Sequence, residues 1–247
     1  MKKVTLIFGF TLCLILSAVV VLNAGWWVYT VTEPASSSCS TPSYGDELNE
    51  GFLGTGYENT WAESGSSATI DEDTSLSGSP PTACCNEGLA ITLSGTGTSN
   101  TYWDRGSTIS YSTSTDIVFW IYFTTLNFSD DYEATNLVEW NSATTHYDVS
   151  NCTGWVDVMK TNTGTYVMRG RGSTSSSNIS ITTETWYKVK LHLDSVASDS
   201  YLQIDDGTQY FFTRKDVDGR YLSIGTNALE TGDELAYQIG YIYVDTP

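Results

Sequence analysis

Within residues 114–125, every position from Ile117 to Phe123 is apolar or aromatic. Ile117, Phe119, Ile121 and Phe123 fall on one face of an extended strand, and Val118, Trp120 and Tyr122 on the other, because strand side chains alternate with period two. A strand that is apolar on both faces belongs in the middle of a sheet. One face is expected to feed a core between two sheets. The other offers Trp120 and Tyr122 to a covering loop or to a ligand.

Elsewhere, short strand patterns recur between clusters of Gly, Ser, Asn and Asp. They predict strands at 51–53, 59–63, 89–93, 101–105, 108–111, 116–123, 136–140, 154–160, 165–171, 185–194, 201–204, 209–213, 221–224 and 236–245. No stretch sustains a 3.6-residue period. The expected fold is therefore all-β, a two-sheet antiparallel sandwich of the jelly-roll kind. Residues 66–81, rich in Gly, Ser and acidic residues, are expected to form a surface loop.

The N-terminus departs from this pattern. Lys2 and Lys3 precede an apolar run over 4–22, the form of a secretory signal, with a passable cleavage site at Ala24. The run, at about 19 residues, is also long enough to span a bilayer as a hydrophobic helix, and Trp26, Trp27 and Tyr29 suit a membrane interface. Either outcome places the remainder outside the cytoplasm, secreted or anchored, with membrane contact only through this segment. The expected organisation is a signal peptide or signal-anchor over 1–24, a Ser/Thr/Pro-rich linker over 25–45 and a β domain over 46–247. Of five cysteines, Cys13 lies in the apolar run. The other four, Cys39, Cys84, Cys85 and Cys152, are expected to form two disulfides in an exported chain. Three pairings are open, the vicinal Cys84–Cys85 bond being disfavoured by strain. No CxxC spacing is present, which favours a staple over a metal site.

Charge narrows the partners. The formal net charge is −18, from 29 acidic and 11 basic residues, and this argues against nucleic acid, whose phosphates need clustered Lys and Arg. Of the 11 basic residues, Lys2 and Lys3 lie in the N-terminal segment, leaving nine. Among these, Arg169 and Arg171 share one strand face and Lys188 and Lys190 another. Such pairs suit a carboxylated or sulfated glycan, or ordinary cross-strand pairing with carboxylates. Trp186, Lys188, Lys190 and His192 are expected to face away from the core, as are Tyr241 and Tyr243.

DIVFWIYF, TWYKVKLHLD, SYLQIDDGTQYFF with its turn at Asp205, Asp206 and Gly207, RYLSIGT and YQIGYIYVD together resemble the strands of the concanavalin A-like jelly roll of lectins and laminin-G-like domains. GFLGTGYENTWAES resembles the first strand region of some of its members, so the likeness spans 46–247. The resemblance implies a concave sheet on which aromatic rings stack on sugars while charged groups take hydroxyls. The implied glycan-binding residues are Trp120, Tyr122, Trp186, Lys188, Lys190, His192, Tyr241, Tyr243, Arg169 and Arg171. The implied partner is a polysaccharide or cell-surface glycan, bound without catalysis. Two other readings stand beside this one. Glucanases of the superfamily carry E-x-D-x-x-E on one strand, which this chain lacks; its lyases use Arg, Gln, His and Tyr, for which His192 as base, Tyr243 as acid and Arg169 are the candidates. A structural module of an envelope, appendage or virion is the third reading. Relatives also bind Ca²⁺ on loops, and Asp216 and Asp218 are the candidate ligands here, although calcium wants six to eight oxygens.

Overall fold

The computed structural model describes residues 19–23, 26–30, 48–50, 61–64, 68–73, 75–81, 88–94, 101–105, 108–109, 114–143, 151–226 and 230–246. These fall into two units, Met1–Ser40 and Thr41–Pro247. In the first, β1 (Val19–Asn23) and β2 (Trp26–Thr30) pair as an antiparallel hairpin with Val21 opposite Val28. The β-branched run Val19, Val20 and Val21 favours that extended backbone. The rest of the expected N-terminal helix, residues 1–18, lies outside the described residues. Among the described residues no helix is long and apolar enough to cross a membrane.

The second unit is all β. Its strands are β3 (Leu48–Glu50), β4 (Trp61–Ser64), β5 (Ala68–Asp73), β6 (Gly88–Ser94), β7 (Thr101–Arg105), β8 (Thr115–Asn127), β9 (Ala134–Asn141), β10 (Cys152–Lys160), β11 (Tyr166–Arg171), β12 (Ile179–Ile181), β13 (Trp186–Leu193), β14 (Ser200–Ile204), β15 (Gln209–Phe212), β16 (Tyr221–Thr226) and β17 (Glu234–Asp245). One sheet has seven strands in the order β12, β11, β10, β9, β16, β7, β4; the other has eight, β15, β14, β13, β8, β17, β6, β5, with β3 also paired to β17. The pairings are antiparallel throughout, as expected for a β-sandwich.

The double-faced strand is β8, and it sits between β13 and β17, inside its sheet. Ile117, Phe119, Ile121 and Phe123 are all fully buried in a core shared with Val156, Val158 and Met168 of the other sheet. β13 contributes Val189, Leu191 and Leu193 to the same core. β17 changes parity midway: Tyr237 and Ile239 face the core before Gly240, and Ile242 and Val244 after it. Gly240 is the extra residue of a β-bulge opposite β8, and one inserted residue reverses which side chains point inward. A Cβ on Gly88 would meet the Ile239 carbonyl oxygen at 2.3 Å, so only glycine fits beside the bulge.

Several local expectations need correction. Residues 66–81 are not one surface loop: Ala68–Asp73 is an edge strand paired to β6, and Ile70 within it is buried. The acidic residues hid the single apolar position on which the pairing turns. Thr108 and Ile109 are not in a strand. β12 went unread because Ile179 and Ile181 stand in a Ser-rich stretch. The expected strand at 51–53 lies outside the described residues, as do Cys39, Cys84 and Cys85. Cys152 is a free, buried thiol.

Candidate functional site

The outer face of the eight-stranded sheet collects most of the residues singled out above. Register fixes their rows. Trp186 lies beside Tyr122 and Gln238; Lys188 beside Trp120 and Tyr241; Lys190 beside Val118 and Tyr243; and His192 beside Asp116 and Asp245. Continuing outward, β14 sets Tyr201 against His192, and β15 sets Phe211 against Tyr201.

This face has a closed end and an open end. At the closed end the segment 75–81 crosses it. The Trp186 indole Nε1–H donates to the Ser77 carbonyl at 2.9 Å, and the Ser77 amide donates to Gln238 Oε1 at 2.8 Å. Leu76 and Tyr241 form a second small core with Trp120, Trp186 and Tyr243 against it. Gly78 has φ +67°, and a Cβ there would meet the Tyr122 ring at 2.9 Å; a side chain would meet both strain and a clash. Tyr122 and Tyr241 are consequently buried. At the open end Trp120, Lys188, Lys190, His192, Tyr201, Gln203 and Tyr243 are half-buried, and Phe211 is 56% exposed. The Trp120 ring lies 6.3 Å from Tyr243, with the Lys188 ammonium 5.9 Å from its centroid. The His192 ring stacks on Tyr201 at 4.6 Å, and Tyr201 meets Phe211 edge-on at 5.8 Å.

Charges on this face are paired. Lys188 reaches both Asp206 oxygens at 3.0 Å, and Lys190 donates to Asp116 Oδ2 at 2.6 Å. His192 places Nδ1 2.5 Å from Asp116 Oδ1 and Nε2 3.2 Å from Asp194 Oδ2. With a carboxylate at each nitrogen, the ring is best satisfied as an imidazolium donating both ways. Burial opposes that charge, yet the hydrogen bonds to Asp116 and Asp194 raise the His192 pKa above its ordinary value. Burial alone would lift the Asp116 carboxyl; the hydrogen bonds from His192 and Lys190 outweigh it and hold the group below the usual carboxylate range.

The sign of the pH dependence follows. A raised histidine pKa means that the folded state binds the proton more tightly, so the stabilisation is complete below about pH 6.5 and is lost as pH rises through the higher folded value. The lowered Asp116 acts oppositely, present at neutral pH and lost as pH falls through its depressed value. The Glu133 carboxyl, desolvated and hydrogen-bonded to Asp233, is pushed up to about 7, so its loss comes earlier, as pH rises from the ordinary carboxylate range to about 7. The melting temperature is expected to fall as pH rises above about 6.5, and His192→Gln to flatten part of that fall. Identical profiles for the two proteins would show that the imidazolium is not part of the network.

Arg169 and Arg171 do not join this face. They lie on β11, in the other sheet, where Arg169 Nε and Nη2 donate to the two Asp157 oxygens at 3.0 and 2.7 Å and Arg171 Nη1 donates to Oδ2 at 3.1 Å. Asp157 is the direct cross-strand partner of Arg169. His192, Tyr243 and Arg169 are therefore not assembled into one constellation. Asp205 and Asp206 both have positive φ, as the turn between β14 and β15 requires. Asp216 and Asp218 are exposed, and no cluster of three or more metal-ligating side chains occurs among the described residues.

Sequence reasoning missed the polar band on the outer face of the seven-stranded sheet. Glu139, fully buried, accepts from Asn136 Nδ2 at 2.5 Å and from Asn141 Nδ2 and the Tyr102 hydroxyl at 3.4 Å. Asn141 also donates to Ser223 Oγ at 3.0 Å. Trp155 pairs with Glu139 on one side and Arg171 on the other. The alternation of Trp155 and Asp157 was the available signal, but only the register shows what faces them.

No family model matches the chain, and no curated protein does. Solved structures similar in fold include the cellulose induced protein Cip1, with a TM-score of 0.59, 10% identity, and coverage of 81% of this chain and 98% of that one. A sialidase matches with a TM-score of 0.56 and 11% identity over 81% of this chain; the chain spans only 18% of the sialidase. The globular domain of T. cruzi calreticulin matches with a TM-score of 0.54, 8% identity, and coverage of 81% and 88%. At such identities the likeness is one of fold, and with the two antiparallel sheets it is consistent with a concanavalin A-like sandwich.

Proposed function

We propose that this chain is an exported, noncatalytic carbohydrate-binding module that takes a polysaccharide or cell-surface glycan on the open end of the eight-stranded sheet's outer face. The observation that carries the reading is the adjacency of half-exposed Trp120 and Tyr243, with Lys188 over the indole and the Tyr201–Phe211 pair on the neighbouring strands. Such rings stack on the apolar faces of sugars, and the flanking ammonium and carboxylate groups take hydroxyls. The names of two fold neighbours, a sialidase and a cellulose induced protein, point in the same direction. Both His192 ring nitrogens are engaged by carboxylates, leaving no lone pair for a general base, which favours binding over lyase chemistry. Export rests on the charged and then apolar N-terminal segment.

The test is a glycan array on the full-length chain and its Trp120→Ala variant. Binding that falls at least about tenfold in the variant, the scale of one lost stacking contact with its desolvation, with an unchanged far-UV spectrum and a cooperative melt, supports the face. Binding that persists undiminished places the glycan elsewhere, and no binding to any glycan removes the reading.

A further inference from the structure

On the seven-stranded sheet, three buried polar atoms have no hydrogen-bond partner: Trp155 Nε1, Arg171 Nε and Asn141 Oδ1. They are neighbours. Trp155 and Arg171 are paired across β10 and β11, the Arg171 guanidinium carbon is 5.4 Å from the Trp155 ring centroid, and Lys215 Nζ lies 5.4 Å from the same ring. Asn141 stands one diagonal step away, hydrogen-bonded to Glu139, the other cross-strand partner of Trp155. Trp155 is 4% exposed and Asn141 fully buried. A buried donor or acceptor without a partner costs about 1–3 kcal/mol, and native proteins hold few of them. Three on one face of one sheet call for a common occupant.

Their chemistry specifies it. Two are N–H donors, one on a cation, and they ask for an oxygen acceptor, preferably an anion. Asp157 already accepts both arms of Arg169, so it leaves the charge of Arg171 incompletely balanced. The third atom is an acceptor and asks for a hydroxyl. We propose that this face holds a hydroxylated carboxylate of the sugar-acid type, admitted as the Arg171 side chain, 38% exposed and lying over the Trp155 ring, shifts aside, with its carboxylate on Trp155 Nε1–H and Arg171 Nε–H and a hydroxyl donating to Asn141 Oδ1. The site is separate from the aromatic face of the eight-stranded sheet, and the two readings stand or fall independently.

The probe is D-glucuronate, titrated into the full-length ¹⁵N-labelled chain, with D-glucose and glucose 6-sulfate as comparisons. The Trp155 indole N–H resonance, assigned by its loss in Trp155→Phe, is expected to move downfield with glucuronate. Trp155→Phe keeps the ring and removes the donor; Arg171→Lys keeps the charge and removes Nε–H. Each is expected to weaken binding at least about tenfold, as the loss of a charge-assisted hydrogen bond does, while Trp120→Ala leaves it unchanged. Should one variant misfold by far-UV dichroism and melting, the other carries the test. No movement of the Trp155 resonance, or equal binding of glucose, overturns the proposal and assigns the three atoms to ordered water. Equal binding of glucose 6-sulfate overturns the assignment to a carboxylate.

Discussion

Phe119→Ala is expected to lower the unfolding free energy by about 3–5 kcal/mol, the range for deleting a buried phenyl ring. Phe119 is fully buried, near the middle of β8, and paired with Val189 on one side and Ile242 on the other. Both neighbours are themselves fully buried. A site held on two sides by hydrogen-bonded strands has little freedom to collapse into the space left by the ring, so the cavity persists. At roughly 2–4 °C per kcal/mol for a domain of this size, the loss is visible in a simple melt. Phe211→Ala is the control: the same chemistry on a 56% exposed ring should cost no more than about 0.5 kcal/mol. Equal losses for the two variants would mean that the core does not lie where β8 puts it.

The second large effect is at Asp157. This carboxylate is fully buried and accepts three hydrogen bonds from Arg169 and Arg171. Asp157→Asn keeps the volume but leaves the Arg169 guanidinium, 14% exposed, without its counter-charge. Breaking a buried pair from one side costs about 3–5 kcal/mol, whereas replacing both partners by apolar residues is often neutral. The double variant Asp157→Leu with Arg169→Met is therefore expected to recover most of the loss, measured by denaturant titration as a double-mutant cycle with the single variants Asp157→Leu and Arg169→Met. A single-variant cost below about 1 kcal/mol would show the pair to behave as a surface one.

The fold was legible because period-two alternation survives wherever one face is buried. In TWYKVKLHLD it correctly sent Val189, Leu191 and Leu193 inward and Lys188, Lys190 and His192 outward. It failed where burial depends on a partner rather than on pattern. Ala68–Asp73 reads as an acidic loop, yet becomes a strand because β6 offers it an unpaired edge. The candidate site was half legible. Rows of residues on one strand could be listed by eye, but which strands adjoin could not, so Arg169 and Arg171 were grouped with residues of the other sheet. The covering of Tyr122 by Gly78 depends on a contact between residues 44 positions apart, which no local pattern encodes.

The placement of β17 has a consequence for how the molecule is made. This strand comes last in chain order among the described strands, yet it lies inside its sheet, with β8 on one side and β6 and β3 on the other. Until residues 234–245 emerge from the ribosome, β8 has an open edge and β3, β5 and β6 have no connection to the rest of the sheet. Closing the sheet means joining segments nearly 200 residues apart, and such non-local pairings form slowly. The eight-stranded sheet is thus completed late in folding, and until then its unpaired edges are the surfaces most exposed to wrong pairing.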